Sequence, residues 1–276
     1  MTLPMKISVY GTGNAGFRLA ISLKTIGFDI PCVVNRTYDS AKQLASILNK
    51  PEYNMLNLPD TISSTEVEIM EGSDLILICV SDDAIQNVLD GLFKIPSVIN
   101  GYTTVCHISG GTSIDVLSLF PSYGVFYPLM TLSKNKPIDI KLVPFLLEYS
   151  DLNSGDKLKL MCGKMGSEFS EADSVERLRM HIAAVFISNF VNYLSSLSYD
   201  ISAQNHVYLL PLAIETIRKA FLYGNPANVQ TGPASRGDLI TINKHLEILK
   251  SNPEHYRVYE LLSNYIINQS TQLKRK

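Results

Sequence analysis

The sequence predicts a parallel α/β domain followed by an all-α domain. In the first half, short β-branched segments alternate with segments of helical period, which is typical of a parallel sheet with crossover helices. The uninterrupted apolar run at residues 75–80 indicates a strand that is buried on both faces. After about residue 170 strand signals disappear and helical periodicity continues to the end. We therefore predict domains at residues 1–170 and 171–276 of the 276-residue chain.

The individual elements follow from the same periodicities. Strands are predicted at residues 5–10, 28–34, 74–80, 103–108, 125–127 and 144–148, and helices of the first domain at 14–26, 40–48 and 82–92. Residues 61–68 give no clear assignment. The second domain is predicted to contain helices at 174–204, 207–222, 238–249 and 254–267, with a polar loop at 228–237.

Composition excludes several classes of protein. With 24 Lys and Arg against 26 Asp and Glu, the chain lacks the excess cations that a nucleic-acid binder needs. We find no apolar stretch approaching the roughly 18 uncharged residues of a membrane span and no signal peptide, so we expect a cytoplasmic protein without a membrane partner. The four cysteines are scattered without a CxxC pair, which favours reduced thiols over disulfides or a zinc site.

A glycine motif follows the first predicted strand and opens the first predicted helix. Residues 11–16 match GxGxxG, and the surrounding strand–helix–strand unit is the context in which this pattern indicates a dinucleotide site. Gly11 permits the tight turn, Gly13 lets a pyrophosphate approach the backbone, and Gly16 lets the helix pack closely. Free N–H groups at the helix start, carried by the remaining motif residues Thr12, Asn14 and Ala15, face the anion. The alternative is a glycine-rich turn without a ligand.

The end of the second predicted strand indicates which dinucleotide binds. An NAD site usually has a carboxylate there for the ribose 2′-hydroxyl, whereas this chain has Asn35, Arg36 and Thr37. The Arg36 guanidinium suits a 2′-phosphate, with Asn35 and Thr37 as neutral donors, so we predict NADP(H). The alternative is that Arg36 is an ordinary solvated cation.

Later strand ends supply further candidates, because ligands of open α/β sheets bind at the carboxyl ends of the strands. Val80 and Ser81 are placed beside the nicotinamide ribose, whereas the two aspartates at 82 and 83 are interpreted as caps of the following helix. His107 is either a core histidine or a site group. Ser109, at the strand exit before a glycine pair, is a better site candidate.

Several segments resemble known proteins. The chain resembles the 6-phosphogluconate-dehydrogenase-like superfamily, which includes pyrroline-5-carboxylate reductase and the β-hydroxyacid dehydrogenases. It is more similar to a family that joins a Rossmann-like domain to a C-terminal helical domain of unknown function. The matching segments are residues 107–111, 127–131, 181–189, 209–212, 231–238 and His245. This resemblance implies a Rossmann-type domain, a helical domain like that of 6-phosphogluconate dehydrogenase, and an NADP-linked oxidoreductase that dimerises through its helical domain.

The sequence departs from that pattern at two positions. Tyr127 stands where the family usually has a histidine, which puts an acid–base role at that position in doubt. The β-hydroxyacid dehydrogenases carry a catalytic lysine one helical turn before an asparagine. If Asn189 matches that asparagine, the lysine position is Val185, so that chemistry cannot be carried over.

Four residues are the catalytic candidates: His181, Asn189, Ser109 and Arg236. His181 and Asn189 fall on one predicted helical stripe two turns apart, and histidine titrates near neutrality, which suits a proton donor. Arg236 is suited to clamp a substrate carboxylate, and the alternative is a structural pairing with Asp238, which would cap the next helix. The role of His245 is unassigned.

Three functional hypotheses follow. The first is an NADPH-dependent reductase of a small carbonyl or imine substrate bound between the domains. The second is a non-catalytic NADP(H)-binding sensor or scaffold, and the third is a deazaflavin-dependent oxidoreductase. The apolar stripe through Phe186 and Phe190 additionally predicts a homodimer.

Overall fold

The chain forms two compact units in a computed structural model that describes residues 4–274. The first unit is Met1–Asn189 and the second is Phe190–Lys276. The predicted boundary after residue 170 lies inside the first unit. The first helix after that boundary belongs to the first unit because the buried ion pair between Arg177 and Glu148 holds it against the sheet.

Among the residues that the structure describes, the first unit contains eight strands and six helices. The strands are β1 Ile7–Tyr10, β2 Cys32–Val34, β3 Ile62–Ser64, β4 Leu75–Ile78, β5 Thr104–His107, β6 Tyr123–Pro128, β7 Phe145–Tyr149 and β8 Phe169–Glu171. The helices are α1 Asn14–Thr25, α2 Tyr38–Leu48, α3 Ile85–Leu92, α4 Pro96–Ile99, α5 Leu152–Met165 and α6 Ser174–Val185. The predicted fold class is confirmed, because a mostly parallel α/β sheet is followed by a helical region.

The strands form one sheet in the order β3-β2-β1-β4-β5-β6-β7-β8. Neighbouring strands are parallel throughout, except that β7 runs antiparallel to β6. The chain order of the strands reverses between β1 and β4, so their carboxyl ends flank a topological switch point. This is the position where open α/β sheets bind their ligands.

Apolar residues cover both faces of this sheet, as the uninterrupted run at residues 75–80 predicted. Along β4, Leu75 and Leu77 pack into one core with α1, α2 and α5, whereas Ile76 and Ile78 pack into a second core with α3. Successive side chains of a strand point to opposite faces, so a strand covered on both sides must be apolar at every position.

The structure contains elements that the sequence did not assign. Residues 61–68 form β3 and a short 3₁₀ turn, and α5 and β8 complete the far edge of the sheet. Helix α5 has local signals at both ends. Asp151 and Ser154 form a reciprocal capping box at its start, and Gly166 ends it in the left-handed conformation with φ of 68°.

The second unit is helical. Its helices are α7 Val191–Ser202, α8 Leu210–Leu222, α9 Pro233–Arg236, α10 Leu239–Leu249 and α11 Pro253–Lys274. The predicted helix at 174–204 is divided, because a π-helical turn at Phe186–Phe190 separates α6 from α7. A π turn holds an extra residue, so it rotates everything after it and changes the stripe predicted from an ideal helical period.

One expectation about hydropathy is wrong. The helical stretch Ser174–Leu222 contains an 18-residue window of mean hydropathy 1.2 with at most two charged residues, and none of that window is buried. Interspersed serine, asparagine and tyrosine residues hide this window from a search for continuous apolar runs. By length and composition the stretch could cross a bilayer, but a single helix of this kind is weak support for a membrane span.

A buried arginine fixes α6 against the sheet. Arg177 is only 1% exposed, and its Nη1 donates to the carboxylate of Glu148 on β7. Its Nη2 donates to the Thr112 carbonyl at 2.6 Å and to Ser174 Oγ at 3.2 Å. Glu148 also accepts from the backbone N–H of Ser174 at 3.0 Å, so one carboxylate holds both the start and the first turn of the helix.

We expect Arg177→Met to lower the free energy of unfolding by about 3–5 kcal/mol, because removing one partner leaves the Glu148 carboxylate without its counter-ion. Urea denaturation measures this change. The matched control is Arg179→Met, since Arg179 is exposed on the same helix and its loss should stay within about 0.5 kcal/mol. Equal losses in the two variants would contradict the assignment of the buried ion pair.

Candidate active site

The glycine motif forms the turn between β1 and α1. Gly11 has φ of +100°, and a Cβ atom there would lie 2.5 Å from the carbonyl oxygen of Cys79, the residue after β4. A Cβ on Gly16 would collide with the carbonyl oxygen of Gly11. Gly13 has no such neighbour, since the nearest atom to its Cβ position is 4.0 Å away. The turn therefore needs Gly11 and Gly16 for its own packing, whereas Gly13 leaves the backbone open to solvent.

The start of α1 has no internal cap. Gly13 is the N-cap residue and provides no side-chain hydrogen bond, and the first turn contains no acidic residue. The first backbone N–H groups of a helix have no intrahelical acceptor and carry the positive end of the helix dipole. Thr12 is buried, Ala15 is half-buried, and Asn14 is exposed. These features together fit an anion such as a pyrophosphate.

The loop after β6 also reaches α1. Arg18 donates from Nε to the Ser133 carbonyl at 2.6 Å and from Nη2 to the Lys134 carbonyl. The backbone N–H of Lys134 donates to Asn14 Oδ1 at 3.1 Å. Asn14, predicted as a cofactor residue, thus uses its side-chain oxygen to hold this loop. Arg18 has no local sequence signal, because the loop that it binds is distant in the chain.

The segment after β2 carries the proposed ribose-binding residues. Asn35 is half-buried, its backbone N–H bonds to the Ser64 carbonyl and its side chain donates to the Thr37 carbonyl at 3.2 Å. Thr37 is the N-cap residue of α2 and makes no side-chain cap. Arg36 is exposed, and its charge acts on Tyr10 at the end of β1. Burial raises the pKa of Tyr10, and the charge of Arg36 opposes this rise.

The carboxyl end of β4 meets the glycine turn. Val80 lies 3.0 Å from the Cβ position of Gly11, and Ser81 is exposed next to it. The interpretation of Asp82 and Asp83 as helix caps is wrong, because Ser81 is the N-cap of the 3₁₀ turn and Ala84 is the N-cap of α3. Asp82 instead faces the loop after β5, with Oδ2 3.2 Å from the Cβ position of Gly111.

The loop after β5 contains two of the predicted groups. His107 is fully buried, and its Nδ1 accepts the backbone N–H of Ser109 at 3.1 Å. Burial, followed by the charge of Arg177, lowers the pKa of His107 to about 4, against weaker opposing effects of the Ser113 backbone and Asp82. His107 is therefore a neutral core residue at physiological pH.

Ser109 has a structural task in this loop. Its Oγ accepts the backbone N–H groups of Gly111 and Thr112 at 3.1 and 2.9 Å, and the residue is 6% exposed. A hydroxyl that already accepts two backbone bonds holds the glycine turn in shape. The structure thus gives Ser109 a supporting role next to the candidate catalytic residues.

Tyr127 and His181 form a hydrogen-bonded pair. Tyr127, near the end of β6, is 9% exposed, and its hydroxyl lies 3.0 Å from Nδ1 of His181 on α6. A Cβ on Gly110 would lie 2.7 Å from both His181 Nδ1 and Tyr127 Cζ, so only glycine fits beside the pair. Burial raises the pKa of Tyr127. The charge of Arg177 opposes this rise, and the charge of Asp82 adds to it. Two positions singled out in the sequence, 127 and 181, are brought together here.

The other predicted catalytic residues make separate contacts. Asn189 is exposed in the π turn, and its Oδ1 accepts the Ser188 hydroxyl at 2.8 Å. In the second unit, Arg236 is exposed at the end of α9. Asp238 caps α10 through the backbone N–H of Thr241 at 3.0 Å, as its structural interpretation predicted. His245 bonds through Nδ1 to the Tyr259 hydroxyl at 2.7 Å.

A separate cavity of about 300 Å³ lies in the second unit. His255 contributes to its lining and is 5% exposed, with Nε2 3.5 Å from Asp200 Oδ2. The remaining lining is mostly apolar, and none of the predicted site residues belongs to it.

Two comparisons identify the class of protein. Residues 6–100 match the family described as NADP oxidoreductase, coenzyme F420-dependent, and residues 143–266 match a domain of unknown function, DUF2520. The chain belongs to the NADP oxidoreductase family that combines these two domains, and it has the pyridine-nucleotide-binding fold of that family. No curated protein sequence matches it.

Solved structures are similar to this chain over almost its whole length. A "putative NADP oxidoreductase" from Bacteroides fragilis is 31% identical with a TM-score of 0.82, over 96% of this chain and 98% of that one. A Thermotoga maritima protein is 19% identical with a TM-score of 0.68, over 98% and 100% of the two chains. A pyrroline-5-carboxylate reductase from Coxiella burnetii, at 13% identity and TM-score 0.54 over 97% of each chain, shares the fold.

We expect Gly16→Ala to lower the free energy of unfolding by about 1–3 kcal/mol, because the added methyl group forces α1 away from the Gly11 carbonyl. Urea denaturation tests this. Gly163→Ala on α5 is the matched control, since nothing lies within 4 Å of its Cβ position. That control should gain about 0.5–1 kcal/mol from the better helix former. A Gly16 variant as stable as the wild type would show that α1 does not need this close approach.

Proposed function

We propose that the protein is an NADP(H)-dependent reductase of a small carbonyl or imine compound. The observation that carries the proposal is the meeting of the Gly11 turn, the uncapped start of α1 and the end of β4 at the switch point of the sheet. These are the features that hold a dinucleotide pyrophosphate in this fold class. The Tyr127–His181 pair in the same unit supplies groups that can handle a proton.

The preference for NADP(H) over NAD(H) is supported by charge. No carboxylate occupies residues 35–37, and Arg36 is an exposed guanidinium after β2 without a hydrogen bond to any residue that the structure describes. It is free to bind a 2′-phosphate through two parallel hydrogen bonds. A carboxylate at this position would favour the 2′-hydroxyl of NAD(H) instead.

The nicotinamide, when bound, supplies the hydride. The backbone of residues 11–16 would bind the pyrophosphate. Val80 and Ser81 would then lie beside the nicotinamide ribose. His181 is half-buried and would present a polar hydrogen to the substrate oxygen or nitrogen. Arg236 is the candidate for clamping a substrate carboxylate. Asn189 remains a second candidate for orienting the substrate.

A non-catalytic NADP(H)-binding role is the second candidate, and the residue at position 185 favours it. If Asn189 matches the asparagine of the β-hydroxyacid dehydrogenases, Val185 stands at the position of their catalytic lysine, and valine cannot transfer a proton. The description of the family also names coenzyme F420, which supports a deazaflavin-dependent reaction. Arg36 counts against the deazaflavin, because the guanidinium is matched to a 2′-phosphate.

A fluorescence titration with NADPH, NADH and a deazaflavin, followed by turnover with small keto acids and cyclic imines, separates these functions. Selective NADPH binding with turnover supports the reductase. Binding of NADPH with no turnover of any compound in the panel favours the sensor. Tighter binding of the deazaflavin would identify the third function, and no binding of any cofactor would overturn the proposal.

We expect Arg36→Ala to weaken NADPH binding by about 1–3 kcal/mol and to leave NADH binding nearly unchanged, because only NADPH carries the 2′-phosphate. The same titration measures both affinities. Lys42→Ala is the control, since Lys42 is an exposed cation on the neighbouring α2. Equal losses of affinity for both cofactors would remove the 2′-phosphate assignment.

We further propose a homodimer that forms through the helical region. Large apolar side chains are exposed along α8, among them Leu212 at 65%, Ile214 at 57% and Phe221 at 69%. An apolar surface of this kind typically marks a protein–protein interface. A cytoplasmic location likewise remains a prediction.

We expect a dimer mass by light scattering at micromolar concentration, and a shift to monomer for Ile214→Glu, because a charge at the interface would lose its solvation on association. Arg218→Ala on the same helix is exposed and serves as the control. A monomeric wild type would end this proposal.

A further inference from the structure

The Tyr127–His181 pair contains information about where the imidazole proton lies. The Tyr127 hydroxyl lies 3.0 Å from His181 Nδ1, and within residues 4–274 it has no other hydrogen-bond partner. The tyrosine is 9% exposed. A buried hydroxyl hydrogen without an acceptor is costly, and Nδ1 is the acceptor within hydrogen-bond distance among the described residues, which favours a hydroxyl that donates to Nδ1.

The phenol has a proton to donate. Burial raises the pKa of Tyr127, and the nearby Asp82 carboxylate adds to this effect while Arg177 opposes it. The hydroxyl is therefore protonated at neutral pH. A ring nitrogen that accepts a hydrogen bond cannot carry its own hydrogen, so neutral His181 must carry its proton on Nε2.

The surroundings hold this geometry fixed. Gly110 packs against both rings and leaves no space for a side chain, and Arg177 anchors α6 about one turn before His181 through Glu148 and Thr112. The two rings also pack edge to face, with centroids 5.9 Å apart. The imidazole thus has little freedom to flip and exchange its two nitrogens.

We infer that Tyr127 is a positioning residue that selects the Nε2–H tautomer of His181 and so presents Nε2–H as the hydrogen-bond donor to the substrate. This inference rests on the proposed reductase function for its purpose. A neutral imidazole in this tautomer polarises a carbonyl or imine by donating a hydrogen bond, and Tyr127 acts only through His181. Among the described residues, His181 Nε2 has no hydrogen-bond partner that would compete with a substrate.

The tautomer can be measured without any substrate. Two-bond ¹H–¹⁵N correlation spectra of protein labelled with ¹⁵N-histidine distinguish protonated from bare ring nitrogens for each of the five histidines. His181→Gln identifies the signals of His181. Spectra are recorded at about pH 8.5, two units above the ordinary imidazole pKa of about 6.5, so that an ordinary ring is neutral.

We expect wild-type His181 to show the Nε2–H tautomer. Tyr127→Phe removes only the hydroxyl, and the ratio of Nε2–H to Nδ1–H should fall by about tenfold, which corresponds to one hydrogen bond of ordinary net strength. Tyr123→Phe is the matched control, because it removes a phenol from the same strand and should leave the ratio unchanged.

Two results would overturn the inference: an Nδ1–H tautomer in the wild type, or an unchanged ratio in Tyr127→Phe. The signals of the other four histidines report whether Tyr127→Phe is folded. If this variant is unfolded, the tautomer seen in the wild-type spectrum alone tests the inference. NADPH titrations on the same samples keep the two proposals apart. A wild type that does not bind NADPH would contradict the proposed reductase function. The tautomer of His181 is measured without a cofactor, so that outcome would leave the tautomer result unchanged.

Discussion

The buried charge of Arg177 is the constraint on which the candidate site depends. A guanidinium cannot lose its proton, so burying it requires a counter-ion and further acceptors. Glu148 from β7 supplies the counter-ion, and Ser174 from α6 and the Thr112 carbonyl from the loop after β5 supply two acceptors, whereas Nε has no hydrogen-bond partner among the described residues. One side chain therefore joins three elements that are distant in sequence. The same electrostatic environment reaches His107 and Tyr127, whose pKa values both respond to Arg177.

Two parts of the sheet in the first unit contribute different groups to the candidate site. Close packing at Gly11 and Gly16 lets β1, α1 and the end of β4 converge, which creates the surface that we propose as the pyrophosphate site at the switch point. On the other side of the switch point, β5 and β6 end near α6 and carry the polar groups. Asp82, which follows β4, faces the loop after β5 and connects the two parts. A reductase needs both a cofactor surface and a proton-handling group, and this sheet brings both to its carboxyl edge.

Much of this arrangement was predictable from local patterns. The parallel sheet, the helical second half and the glycine turn each follow from periodicity and from residue chemistry over a few positions. Helix α5 was missed even though Asp151, Ser154 and Gly166 mark its ends, so capping signals could have found it. The misassigned aspartates at 82 and 83 show the opposite problem. A good capping residue near a helix start is a cap only if the backbone begins its helix there.

The fold class, the glycine turn and the cation at Arg36 are all readable from the sequence, because each depends on residues close together in the chain. The folded chain alone reveals that Tyr127 contacts His181, that His107 belongs to the core, and that Arg177 holds the loop after β5. Those contacts join residues tens of positions apart, and no periodicity records them. The π turn at Phe186–Phe190 likewise reorients the predicted stripe, since a single extra residue in one turn is invisible to an ideal helical period.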